Sequence, residues 1–329
     1  MEPIVLPRIS EQKPLVSVVS FTYNHEPYIR DCLEGFLMQK TSFPVEVIIH
    51  DDASTDQTAD ILREYYNKRP DLFHVIIERD NQYSQHKSIS SQLYELAQGK
   101  YIALCEGDDY WIDPNKLQRQ FDFMEAHTGF TVCGTRNLIM FQETNKLRRR
   151  RRRRGREIIT LGTVMSGNPF TTCTTFLDKK TVQKWGKISS NFDKTKWKMG
   201  DLPLFIYCMT QGKGYIMSHT TSCYRVLSIS ASHGDRIKRL SFADSGIHIR
   251  LALIKELNLP FSSDQIIKQW AWRRVKKALV WKDFDSPYKL KYYWKIYWKK
   301  GFIYTRPICF FLMFIFAYTL SLFFSHTKK

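Results

Sequence analysis

The chain has 329 residues, 43% of them hydrophobic and 25% charged, which allows one large α/β domain or two small ones and argues against disorder. Its formal net charge of +18 calls for an anionic partner, whether nucleic acid, acidic lipid or a phosphate-bearing substrate. The cysteines Cys32, Cys105, Cys133, Cys173, Cys208, Cys223 and Cys309 form no CxxC pair and sit near no histidine cluster. A disulfide framework and a zinc site are thereby disfavoured, and reduced thiols in a cytosolic compartment are expected. The N-terminal Met-Glu-Pro-Ile-Val-Leu-Pro has no basic stretch followed by an apolar run, so no signal peptide is expected.

From Leu15 to about Leu117, short β-rich runs alternate with helical patterns. Val16–Phe21 reads as a strand ending in Thr22-Tyr23-Asn24, and His25 to Gln39 as a helix with Ile29, Leu33, Phe36 and Leu37 on one face. Val45–Ile49 is the second strand, closed by Asp51-Asp52, and Ser54-Thr55-Asp56 opens a helix. Val75–Ile77 follows, then a helix from Ile89 to Ala97, then a fourth strand, Tyr101–Cys105, ending in Glu106-Gly107-Asp108-Asp109. Strands separated by helices imply βαβ units and a mostly parallel sheet. All the polar clusters fall at carboxyl ends of strands, the edge where open α/β sheets bind ligands, so they are expected to converge on one crevice.

Further on, a helix is predicted over Asn115–Ala126, strands at Phe130–Cys133 and Leu138–Phe141, and a strand at Thr171–Leu177. Lys180–Trp185 reads as a short helix, and Leu202–Thr210 as a longer one beginning just after Asp201. Tyr215–Val226 reads as a strand pair, and Phe242–Leu257 and Asp264–Val280 as helices. Seven adjacent arginines, Arg148 to Arg154, repel one another and are expected at a solvated loop tip. Lys268–Lys300 is dense in Lys and Arg, with Trp294, Tyr297, Trp298 and Tyr304 in or just beyond it, and Ile308–Phe324 is almost wholly apolar and uncharged. Basic residues favour the cytosolic side and aromatic rings the interface. The expected division is therefore a catalytic domain over 1–235, a helical membrane-surface region over 236–305, and an apolar anchor with a short basic tail over 306–329, with 308–324 near the lower length limit for a spanning helix.

A hard divalent ion prefers oxygen ligands and binds through one or two carboxylates plus substrate phosphates, which the strand-end sequence Glu106-Gly107-Asp108-Asp109 can supply. Gly107 is read as giving the backbone a close approach to a diphosphate. Taken in order, Val16-Ser-Val-Val-Ser-Phe-Thr-Tyr-Asn24, Asp51-Asp-Ala-Ser-Thr-Asp56, Glu106-Gly-Asp-Asp-Tyr-Trp111 and Trp197-Lys-Met-Gly-Asp-Leu-Pro-Leu204 resemble glycosyltransferase family 2, of GT-A fold, over roughly residues 14–235. The overall style resembles enzymes of bacterial surface-polysaccharide assembly.

That resemblance implies Mn²⁺ or Mg²⁺ as cofactor and a site residue by residue. Thr22, Tyr23 and Asn24 line the nucleobase pocket, with the Tyr23 ring available for stacking, and Asp51 or Asp52 accepts a hydrogen bond from the base. Asp108 binds the metal, Glu106 replaces the aspartate usual at the first acidic position, and Asp109 touches the donor sugar or supports the metal. Arg225 is a candidate diphosphate partner, and Asp201 matches the general base of inverting members, held ionised by its place at a helix start. The implied activity is inverting transfer from a nucleotide sugar, UDP-linked, to a saccharide or polyprenyl-phosphate-linked acceptor at the cytoplasmic face of the inner membrane, with an anionic membrane surface and no nucleic acid as partner. A nucleotidyltransferase on a similar scaffold is one alternative, though Phe21-Thr-Tyr-Asn24 lacks the Gly-rich basic loop such enzymes carry after the first strand. A nonenzymatic nucleic-acid or membrane binder is the other; its basic runs lie outside the acidic clusters.

Overall fold

The computed structural model describes residues 2–85, 87, 89–149, 157–227, 236–267, 269–270 and 315. The chain divides into two compact units, Met1–Phe242 and Ala243–Lys329. Unit one opens with β1 (Ile4–Leu6) and β2 (Val16–Thr22), then α1 (Ile29–Leu37), β3 (Val45–Asp51), α2 (Thr58–Lys68) and β4 (Phe73–Ile77). It continues through α3 (Ser90–Leu96), β5 (Tyr101–Leu104), β6 (Tyr110–Trp111), α4 (Lys116–Ala126), β7 (Phe130–Phe141) and β8 (Lys146–Arg149). After β9 (Ile158–Ile159) come α5 (Leu161–Ser166), β10 (Phe176–Asp178), α6 (Lys179–Ser189), α7 (Asp201–Gln211) and β11 (Lys213–Val226). α8 runs from Arg236 to Glu256.

The strands form one sheet in the order β1-β4-β3-β2-β5-β10-β7-β11-β6, with β8 on β7 and β9 on β11. β4, β3, β2 and β5 pair in parallel. Central parallel strands are covered on both faces, and β2 accordingly reads as a nearly unbroken buried run. Ile29, Cys32, Leu33 and Phe36 of α1 and Ile61, Leu62 and Tyr65 of α2 join Val16, Val18, Val47 and Ile49 in the core. From β2 the chain steps to β3 and β4 on one side and then returns to place β5 on the other, so a crevice opens at the carboxyl ends of β2, β3 and β5.

The other half corrects the sequence reading. The sheet is mixed rather than mostly parallel, since β10 pairs antiparallel with both β5 and β7, β1 with β4, and β6 with β11. Phe130–Cys133 and Leu138–Phe141 are one strand, β7, because the polar residues between them are satisfied in place. Thr135 Oγ1 lies 2.7 Å from Thr221 Oγ1, and Asn137 Oδ1 accepts from Thr171 Oγ1 at 3.1 Å. Tyr215–Val226 is likewise not a pair; β11 is a single strand parallel to β7, with register shifts between Ile216 and Ser222 in place of a turn. The strand expected at Thr171–Leu177 starts later. The hydroxyls of Thr174 and Thr175 donate back to the carbonyls of Thr171 and Thr172 at 2.7 and 2.8 Å, closing a 3₁₀ turn over Thr172–Thr174 before β10. Arg148 and Arg149 belong to the exposed edge strand β8 rather than to a loop tip, and the rest of the arginine run lies outside the described residues.

In the second unit Ile247, Ile249, Leu253, Leu259 and Ile266 are buried, and Trp270 Nε1 donates to Asp244 Oδ1 at 3.2 Å. Among the described residues no helix is long and apolar enough to cross a membrane. Of the expected surface region 236–305, residues 236–267, Gln269 and Trp270 are described; the rest of it, and the anchor segment 308–324 apart from Ile315, lie outside the described residues.

Candidate active site

The three loops at the crevice are stitched together by short polar side chains. Asn24, which adopts a left-handed φ of 52°, donates its backbone N–H to Ser54 Oγ at 2.9 Å and accepts the Thr55 N–H on Oδ1 at 2.8 Å. The loop after β2 is thereby locked to the loop after β3. Thr22 is buried at the strand end, whereas the Tyr23 ring is exposed beside it. Asp51 is fully buried and its carboxylate is occupied by Ser54, taking the hydroxyl on Oδ1 and the N–H on Oδ2 at 3.1 Å. Burial raises the Asp51 pKa and the Ser54 hydrogen bonds oppose the rise. Asp52 accepts the N–H of Gln82 on Oδ1 at 2.7 Å and of Tyr83 on Oδ2 at 3.1 Å, while its own N–H donates to the Thr22 carbonyl at 3.0 Å. Asp52 therefore joins two loops that bear exposed tyrosines, Tyr23 and Tyr83.

At the end of β5 carboxylates crowd together. One oxygen from each of Glu106, Asp108 and Asp109 can be chosen so that all lie within 4.8 Å of one another. Asp109 is fully buried; its Oδ1 accepts the Arg225 N–H at 2.8 Å and its Oδ2 has no partner. Burial and the neighbouring charges of Asp108 and Glu106 hold Asp109 well above the usual carboxylate range. Glu106 reaches solvent, yet it sits in a crowded concavity where the surrounding protein, Asp108 and Asp201 push it up to about 8. Three clustered carboxylates, one with an orphaned buried oxygen, are the donor set that a hard divalent cation satisfies, so the residues fit Mn²⁺ or Mg²⁺.

Gly107 has a packing reason within the protein. A Cβ there would lie 2.7 Å from Thr22 Oγ1 and 3.0 Å from His25 Nδ1, so the glycine lets the β5 loop pack against the end of β2. Both of those polar atoms are buried without a hydrogen-bond partner. Burial lowers the His25 pKa, against the pull of Asp108 and Asp56. Arg225 on β11 makes contacts within the protein. Its guanidinium lies between the rings of Tyr28 and Tyr110, at 5.1 and 4.5 Å, pairs with Asp31, and donates to the Asp108 carbonyl at 2.9 Å. One arm of the guanidinium thus holds the acidic loop and the other holds α1 through Asp31, while the buried Nε lacks a partner.

Asp201 is the first residue of α7; Gly200 holds the N-cap position, so Asp201 is not itself the cap. Its Oδ1 accepts the Leu202 N–H at 2.7 Å and its Oδ2 the Asn168 side-chain amide at 3.2 Å, with Thr172 contributing another hydrogen bond. Burial raises its pKa, outweighing the downward pull expected at a helix start. Glu106 and Asp201 act on one another electrostatically, and the buried Tyr94 of α3 senses both. Asp201 thus lies within electrostatic range of Glu106 although far from it in sequence. The residues missed from sequence are Asp31, Tyr28 and Asn168; all lie outside the strand-end motifs, and no periodicity or spacing marks them.

A parallel half-sheet, a mixed partner half and a carboxylate cluster where they meet define a GT-A-like glycosyltransferase architecture. Residues 17–186, a little over half of the chain, match the model described as Glycosyl transferase family 2, and the chain belongs to that family. It is 50% identical over 118 residues to an uncharacterized protein of Mycobacterium tuberculosis, a match covering 36% of this chain and 34% of that one, so the chain spans about a third of the length of the first curated relatives it matches. It is 34% identical over 116 residues to the Escherichia coli UDP-Glc:alpha-D-GlcNAc-diphosphoundecaprenol beta-1,3-glucosyltransferase WfaP, covering 35% of this chain and 43% of WfaP. Among solved structures, S. aureus TarS (1–349) in complex with UDP-GlcNAc shares the fold, at a TM-score of 0.56 and 19% identity over 78% of this chain and 70% of that one.

Proposed function

We propose that this protein transfers a sugar, with inversion, from a UDP-sugar to a lipid-linked or saccharide acceptor in cell-surface polysaccharide assembly. The observation that carries the reading is the placement of Asp201 within electrostatic reach of Glu106, so that a base-capable carboxylate and a cation-binding cluster share one crevice. Asp108 and Asp109, with Glu106 beside them, would hold Mn²⁺ or Mg²⁺. Such an ion neutralises charge that develops on a leaving nucleoside diphosphate. Thr22, Tyr23 and Asn24 form the nucleobase side with Asp51 or Asp52, whose carboxylates are held by Ser54 and by the Gln82 and Tyr83 N–H groups respectively and accept from the base through their remaining lone pairs. Arg225 is assigned to bracing the acidic loop.

In the reaction the acceptor oxygen bonds to the sugar C1 as the bond from C1 to the diphosphate oxygen breaks, and the acceptor proton passes to Asp201. Removing that proton in the transition state contributes roughly 10²–10⁴-fold. The raised Asp201 pKa suits the task, because a base is most effective when its pKa approaches the working pH. The name of WfaP, a UDP-glucose enzyme acting on a diphosphoundecaprenol-linked acceptor, supports the donor and acceptor classes, and a lipid-linked acceptor supports work at the cytoplasmic face of a membrane. In this reading residues 1–235 are the catalytic domain, 236–305 a basic, aromatic membrane-surface region and 306–329 the anchor. Asp201→Asn should abolish transfer while UDP binding, measured by calorimetry, persists. Transfer near the wild-type rate would refute the assignment of the base.

A further inference from the structure

Asn168 belongs to none of the strand-end clusters and follows α5 in a loop of its own. Its side chain is nevertheless fixed in both directions. Oδ1 accepts the Phe170 N–H at 3.1 Å, which determines the amide orientation and leaves Nδ2 to donate to Asp201 Oδ2 at 3.2 Å. The backbone is constrained as well, since the residue before a proline is driven toward extended conformations and Pro169 follows. Phe170 anchors the loop: it is buried, it meets the face of Gly134, and its ring centroid lies 5.1 Å from that of Phe205, which is on the same helix as Asp201. The loop and α7 are therefore tied at two points, one apolar and one polar.

Asp201 needs such a tie. The Leu202 N–H holds Oδ1, but it sits on the same helix and does not alone fix the rotation of the carboxylate. The Asn168 amide comes from outside the helix. With these bonds made, and the Thr172 hydrogen bond beside them, the carboxylate plane is set.

We infer that Asn168 is a positioning residue for Asp201, orienting its Oδ2 toward the acceptor hydroxyl and favouring the charged carboxylate. The inference rests on the reading of Asp201 as general base. A donor hydrogen bond to a carboxylate stabilises its ionised form, and misplacement of a reacting group by an ångström can cost about 10²-fold.

The test compares Asn168→Ala with Asn168→Asp in the full-length protein. Rates are read as UDP released from UDP-glucose with GlcNAc-diphosphoundecaprenol as acceptor, and UDP affinity by calorimetry. Asn168→Ala should lower kcat about tenfold with UDP affinity unchanged. Asn168→Asp preserves shape and still accepts the Phe170 N–H, but presents an oxygen to Asp201 where an amide donated, so it should be slower than Asn168→Ala. A purely structural asparagine gives the opposite order, with the isosteric aspartate close to wild type. That order, or a fall in UDP affinity matching the fall in kcat, overturns the inference. Asp201→Asn in the same assay separates the two ideas. If it is inactive while Asn168→Asp runs like wild type, only the positioning role falls; if it remains active, the base reading falls and this inference with it.

Discussion

The two acidic clusters at the crevice are built on opposite principles. At the end of β3, both oxygens of Asp51 and both of Asp52 are matched by nearby donors, so these carboxylates act as loop fasteners. At the end of β5, Glu106, Asp108 and Asp109 face one another, Asp201 adds a fourth negative group, and one buried Asp109 oxygen has no partner. The first cluster is complete without a ligand and gives shape. The second is electrostatically uncomfortable alone, and a cation would relieve it.

The largest expected effect tests that contrast directly. Asp109→Asn removes an ionisable carboxylate from the crowded cluster and keeps an acceptor for the Arg225 N–H. Transfer should fall by about 10²-fold or more, in the range seen when one electrostatic stabiliser is removed. The thermal midpoint without metal should hold or rise, and the increase produced by added Mn²⁺ in the wild type should shrink. Asp52→Ala should do the reverse to stability, stranding two backbone N–H groups at a cost of about 1–3 kcal/mol each where they stay dry. Denaturant titration of both variants checks the pair. A destabilised Asp109→Asn beside an unaffected Asp52→Ala would invert the comparison.

A second effect concerns Lys116, a fully buried lysine at the start of α4. Lys116 donates to Gln120 Oε1 at 2.6 Å and lies 4.3 Å from the Trp111 ring centroid. Burial pulls its pKa down to about 8. Below pH 8 the folded and unfolded states both carry the proton, and the cost of a buried charge is present in full. As pH rises from about 8 toward the ordinary lysine value, the folded state releases its proton while the unfolded chain retains it, so stability rises. Lys116→Met should therefore be more stable than wild type at pH 7, by about 1–3 kcal/mol after the loss of the Gln120 hydrogen bond. The advantage should narrow by pH 10. Denaturant midpoints of both proteins across that range measure it, and a difference independent of pH would show that Lys116 does not titrate there.

The same division governs what could be read from sequence. β2, β3, β4 and β5 were legible because a strand covered on both faces must be an apolar run, and their polar ends mark the crevice. The β7–β11 half was not. Its strands carry Thr135, Asn137, Thr221 and Ser222 in their interiors, and these are tolerated only because partners far along the chain satisfy them. The site divides in the same way. Strand ends announced Thr22 to Asn24, Asp51, Asp52 and Glu106 to Asp109, and the resemblance supplied Asp201. What Arg225 does depends on Tyr28, Asp31 and Tyr110, and no local pattern could join those to a residue so distant.

The smallest expected effect lies at Ala53, directly after the two fasteners. Its φ of 61° is left-handed, where an alanine's Cβ is crowded by backbone. The conformation is imposed from both sides: the Asp52 N–H is held on the Thr22 carbonyl, and Ser54 is turned back onto Asp51. Ala53→Gly removes the crowding but makes the unfolded chain more flexible, and the two effects oppose each other. The left-handed penalty is the larger for a residue held this firmly, so a net gain of about 0.5–1 kcal/mol is expected in denaturant titration. UDP affinity should change little, because Asp51, Asp52 and Asn24 keep their partners. A loss of stability would show that the fasteners leave Ala53 enough freedom to avoid strain. The β3 cluster would then be looser than its hydrogen bonds imply, and the contrast with the β5 cluster correspondingly weaker.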